Sequence, residues 1–219
     1  MADLTHRVNV IADEADRGGE DMDDEEYSKA IRLFRSLTGR VPDHYLGVAY
    51  GLIHNEDAMA VQAVVLGLDS DGIGVTGEEW LLIRDLLEVG DLQEDELHIS
   101  LVDIPPTLAY SFTPDAPEHI PEPLAADRLM AMSVAGRGVI AVRRVYRSPK
   151  HAAANPASWL YLVETEVGVE EARLSDYLSS RLWHELKETQ LVEAYPAEAV
   201  LPTYHSAALA ASKLLWHYT

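Results

Sequence analysis

Cysteine is absent from all 219 residues. That excludes disulfides, thiolate metal sites and cysteine nucleophiles together, and it accords with a cytoplasmic address. No apolar run approaches the roughly 18 residues that a membrane-spanning helix needs, so a membrane is not expected as a partner. The opening Met1-Ala-Asp-Leu-Thr-His-Arg lacks the basic-then-apolar layout of a secretory signal. Positive charge is scarce. Lysine and arginine number 17 against 37 aspartates and glutamates, a formal charge of −20. A surface of that sign repels phosphate backbones, so nucleic acid is disfavoured and basic proteins are the expected partners. The chain also has no Gly-x-Ser-x-Gly or Ser-x-x-Lys nucleophile set. No His-x-x-x-His helical metal pair occurs either.

What is present is enough for a packed core, since apolar residues make up 47% and charged residues 25%. Residues 13–26 hold nine acids and one arginine. Like charges at that density repel one another, so residues 1–24 are expected to be an acidic mobile tail. A mostly helical domain is expected over 25–114. Tyr27, Ala30, Ile31, Phe34 and Leu37 recur at helical spacing, and Gly39 and Pro42 end that helix. A second helix is predicted from Asp43 to about His54, with Gly47 and Gly51 allowing close approach of a neighbour. Residues 57–68 are almost continuously apolar, and helix and strand both remain open there. Thr76-Gly-Glu-Glu79 reads as a capping box opening a further helix through Trp80, Ile83, Leu86 and Leu87. Short strands are predicted at 97–102 and 107–112.

Six of the eleven prolines fall between Pro105 and Pro123. Proline lacks the amide hydrogen that helix and sheet interiors require, so 115–123 is read as a connector, with a domain boundary near 115. The remainder, 124–219, alternates. A helix is expected at 124–135, strands at 139–146 and 158–166, and a helix at 169–187. A strand at 191–195 and a closing helix at 204–216 complete it. The predicted class is α+β, a helix-rich first half followed by a small sheet with helices packed on one face.

Two constellations carry candidate chemistry. The loop from Asp69 to Glu79 resembles an EF-hand calcium loop, with Asp69, Asp71 and Gly74 at its first, third and sixth positions. It departs from that pattern at Ile73, which offers no side-chain oxygen, and at Glu79, which arrives one residue early. Asp69, Asp71 and Glu79 are therefore a weak Ca2+ candidate, and an Asp/Gly turn leading into a capped helix is the simpler reading. No other metal or cofactor is expected. The second constellation opposes the acidic background. From Leu129 to Val163 there is no acid, while Arg137, Arg143, Arg144, Arg147 and Lys150 fall in that window. Strand alternation puts Arg143 and Arg147 on one face and Arg144 on the other. A solvated stripe of this kind would hold an anion, an acidic partner or the chain's own acidic tail. The plain alternative is positive charge protecting a strand edge from pairing.

No catalytic residue stands out. The expected function is a non-enzymatic acidic protein-binding module, regulatory or inhibitory in type, engaging a basic partner. The alternative is a small enzyme or ligand-binding domain using the arginine patch to hold an anionic substrate. Self-association, tail to patch, is a third possibility.

Overall fold

The computed structural model of the protein describes residues 23–53, 59–87, 97–103, 107–150, 155–187 and 190–218. The chain divides into two compact units, Met1–Thr107 and Leu108–Thr219. The acidic stretch 1–22 lies outside the described residues, and with it the reading of a mobile tail.

Four helices make up the described part of the first unit: α1 (Asp24–Leu37), α2 (Asp43–Ile53), α3 (Met59–Asp71) and α4 (Gly77–Leu87). The acids that open α1 have a local job. Asp23 accepts from the Glu25 and Glu26 amides at 2.8 Å, and Glu26 accepts from the Asp23 amide at 2.8 Å, a complete capping box. Ala30, Ile31, Leu33, Phe34 and Leu37 form the buried face of α1. The 59–68 stretch is helix, which settles the helix-or-strand ambiguity for its described part. Gly67 permits a close approach, since an added Cβ there would meet the buried Tyr45 ring at 2.9 Å, whereas around Gly47 there is open space. Thr76 caps α4 as the sequence predicts, with the Thr76 amide donating to Glu79 at 2.8 Å and the Glu79 amide to Thr76 at 3.3 Å. The strand predicted at 97–102 reduces to one parallel bridge, Val75 to Leu101. Its bonds are Val75 N–H to Ser100 O and Val102 N–H to Val75 O, both 2.9 Å.

The second unit is built on a mixed sheet of β1 (Tyr110–Thr113), β2 (Val139–Pro149), β3 (Ser158–Thr165), β4 (Leu191–Pro196) and β5 (Lys213–His217). Its order is β1-β2-β3-β4, and β5 also pairs with β2. Along one edge of β2, β1 is antiparallel to residues 146–149 and β5 to residues 141–144. β2 and β3 are antiparallel, and β3 and β4 are parallel, joined through helix α6 (Glu171–Leu186). Helices first and a mixed sheet after them make the chain α+β.

The sheet buries both faces. Val142, Tyr161, Val163, Val192 and Ala194 face a cluster with Ala126, Leu129 and Met130 of α5 (Leu124–Ser133) and Leu174, Leu178 and Leu182 of α6. Each fully buried leucine there contributes about 1.5–3 kcal/mol of transfer free energy. Val145, Leu160, Leu162 and Tyr195 point the other way, against Tyr110 of β1 and Tyr204 and Ala208 of α7 (Thr203–Ala211). The expected one-sided packing thus describes α5 and α6, while the short α7 takes the opposite face.

The closing helix predicted at 204–216 stops at Ala211, and its second half is β5. Ser212 turns extended at φ −78°, ψ 155°. The chain then satisfies the backbone of β2 at Ala141–Arg144, which β1 does not reach. The boundary between units falls at 107/108, ahead of the 115 read from composition, because β1 belongs to the sheet of the second unit. The proline-rich stretch packs with that unit too, where Trp159 Nε1 donates to Pro121 O at 3.4 Å.

Candidate functional site

Alternation along β2 distributes the acid-free window as expected: Arg144 shares a face with Tyr161, its partner on β3, and Arg143 and Arg147 share the other. Solvation does not follow. Arg144 and Arg147 are both 0% exposed, so Arg147 does not join Arg143 in the solvated stripe expected on their shared face. A guanidinium cannot be buried without acceptors, and each of these has found them inside the unit.

Arg144 pairs through Nη1 with Asp127 and through Nη2 with Glu122 at 3.6 Å. Its guanidinium stacks 4.3 Å from the Trp159 ring centroid, and the Tyr161 hydroxyl donates to Asp127 at 2.8 Å. Burial lifts the Asp127 carboxyl above its ordinary range; the Tyr161 hydrogen bond and the Arg144 charge oppose that rise. The network clamps α5 and the preceding segment to the sheet. On the other face, Arg147 donates to Tyr204 Oη at 3.1 Å, Ser158 Oγ at 3.0 Å and Pro156 O at 3.4 Å. It also lies 5.0 Å from the Tyr110 ring centroid. This second network holds α7 and β1 to β2.

The five cations of the window do not form one cluster, since Arg137 and Lys150 lie beyond opposite ends of β2. Arg143 is half-buried beside Tyr195, whose hydroxyl is pushed up to about 12 by burial and by Glu164, with Arg143 pulling the other way. Arg137 is exposed, donating to Ser133 O at 3.0 Å and lying 4.0 Å over the Tyr177 ring. Lys150 is exposed, and its backbone amide donates to Ala109 O at 2.8 Å.

The calcium-like loop is organised by protein groups. Glu79 is buried, with one carboxylate oxygen on Arg40 Nη1 at 2.6 Å and the other on the Thr76 amide. Arg40 also donates to the Gly74 carbonyl, tying the turn to the helix cap. Asp69 accepts from the His98 amide at 2.9 Å. Among the described residues, no three His, Cys, Asp or Glu side chains are grouped to hold a metal ion.

Sequence reasoning passed over one buried pair. Glu193 of β4, 4% exposed, meets His205 of α7, 1% exposed, across the sheet face that α7 covers. The contact joins Glu193 Oε2 to His205 Nε2, and Glu193 Oε1 and His205 Nδ1 have no hydrogen-bond partner among the described residues. The signal was a single glutamate inside the apolar run Leu191-Val-Glu-Ala-Tyr195. An acid there faces a core and requires a partner.

Open surface chemistry lies elsewhere. On the outer side of α6, Trp183 is 51% exposed. It lines a shallow cleft of about 230 Å³ with Ser179, Ser180 and Gln190. Lys187, the left-handed residue at the end of α6, places its ammonium 5.7 Å from the Trp183 ring centroid. No family model matches this chain, and neither the curated proteins nor the solved structures offer a match.

Proposed function

We propose that this protein is an acidic protein-binding module that engages a basic partner. The inward turn of Arg144 and Arg147 carries the reading. The chain has 20 more acids than lysines and arginines, and its acid-free window was the place where positive charge could have offset them. Two of the five cations of that window are enclosed and joined to internal acceptors. The outer surface is left with an excess of carboxylates that attracts positive charge and speeds encounter with it. An anion-holding enzyme site would need those guanidinium groups free, so the enzyme reading draws less support.

The test is affinity capture with the full chain as bait at low salt, followed by mass spectrometry and a parallel wash at about 0.5 M salt, where the Debye length falls to a few ångströms. A basic protein bound in fixed stoichiometry and released by the wash is the expected outcome. Capture of nothing, or of an acidic protein indifferent to the wash, contradicts the reading.

A further inference from the structure

The Trp183 cleft has the chemistry of a receptor for one kind of side chain. A half-exposed indole on the outside of α6 leaves a large apolar ring in water, with the negative face of its π-system accessible. Lys187 already holds an ammonium 5.7 Å from that ring, so the chain itself demonstrates that a cation can be carried there. Guanidinium is the better occupant, because it is planar, weakly hydrated and able to stack while donating in its plane. The cleft supplies acceptors for those donors in the Ser179 and Ser180 hydroxyls, with Gln190 completing its wall.

A carboxylate lies farther along the same helix, about two turns from Trp183. Asp176, Ser180, Trp183 and Lys187 follow the spacing of one helical stripe. The arginines of α6 are neutralised locally, Arg173 by Glu170 at 3.5 Å and Arg181 by Glu185 at 3.6 Å. Asp176 has no ion-pair partner among the described residues, which leaves its carboxylate available at one end of the stripe. We infer that Trp183, with Ser179, Ser180, Gln190 and Asp176, forms a docking site for an arginine side chain of the basic partner, and that Lys187 covers the ring until the arginine displaces it. This inference rests on the acidic-module reading and gives it a place on the molecule.

The probe is a capped peptide of alternating arginine and glycine, with its lysine counterpart, titrated calorimetrically against the full chain at low salt. The intact chain is expected to prefer the arginine peptide. Trp183→Ala is expected to weaken arginine binding about 3- to 10-fold and to abolish the preference over lysine, with Trp183→Phe recovering part of it. Lys187→Asn removes the covering cation and is expected to tighten binding more than Lys213→Gln, which removes the same charge from β5. The Lys187 comparison and the Phe variant carry the test if Trp183→Ala fails to fold. Equal arginine affinity in the intact chain and the Trp183 variants overturns the docking site and leaves the acidic module standing. No binding of either peptide by any form overturns both.

Discussion

Arg144 carries a permanent positive charge into a site without solvent contact, and its environment is built around that fact. Asp127, Glu122 and the Trp159 ring each take a share of it. Truncating one partner of such a group leaves the other charge buried and unpaired, which costs about 3–5 kcal/mol. Arg144→Met is therefore expected to destabilise the chain by about that amount in urea unfolding; a loss under about 1 kcal/mol would show that the clamp on α5 contributes little. Tyr195 makes a second prediction. Its folded-state pKa of about 12 lies above the ordinary 10.0, so the folded chain keeps a phenol proton that the unfolded chain releases. The associated stability is fully present below pH 10 and is lost as pH rises through about 12, a difference of roughly 2–3 kcal/mol. Tyr195→Phe should remove that part of the alkaline decline, and an unchanged decline would contradict the assignment. The direction each arginine takes was legible from strand alternation. Its burial was not, because Asp127 and Tyr204 lie far from Arg144 and Arg147 in sequence and come together only when α5 and α7 pack on the sheet.

Among the elements, those with a local signal were legible. The Thr76–Glu79 cap fixes the start of α4, and the face spacing of α1 and α6 fixes their helices. The end of the chain had no such signal. Alanines and leucines from 204 to 216 continue a helical pattern, yet the open edge of β2 draws Lys213–His217 into the sheet, a demand that exists only in the assembled fold. Two of the helical glycines separate local propensity from packing. At Gly47 an added methyl meets open space, so Gly47→Ala should stabilise the chain by about 0.5–1 kcal/mol. At Gly67 the same methyl meets the Tyr45 ring at 2.9 Å, and Gly67→Ala should destabilise it by about 1–3 kcal/mol despite the better helix former. Thermal unfolding of both variants checks the pair; shifts of the same sign would show that α2 and α3 pack less closely than described.

For the whole molecule, composition was the more informative level. The charge of −20 is what sets the expectation of a basic partner, and it is read from the sequence alone. The structure adds that the countercharge of β2 is turned inward and that α6 offers an exposed indole with a lysine resting over it. No residue pattern announced Trp183, since a lone tryptophan on an amphipathic helix reads as core until the helix is rotated onto its sheet. Leu178 and Leu182 take the inner face of α6, and the Trp183 ring is left outside.

An acidic surface that steers a basic partner acts on the rate of encounter more than on the lifetime of the complex. The most direct measurement is the association rate of the full chain with the basic protein it captures, followed by stopped flow as ionic strength rises. The account predicts that this rate falls by about tenfold or more between about 0.02 and 0.5 M salt, with the dissociation rate changing far less. An association rate that stays level across that range would contradict it.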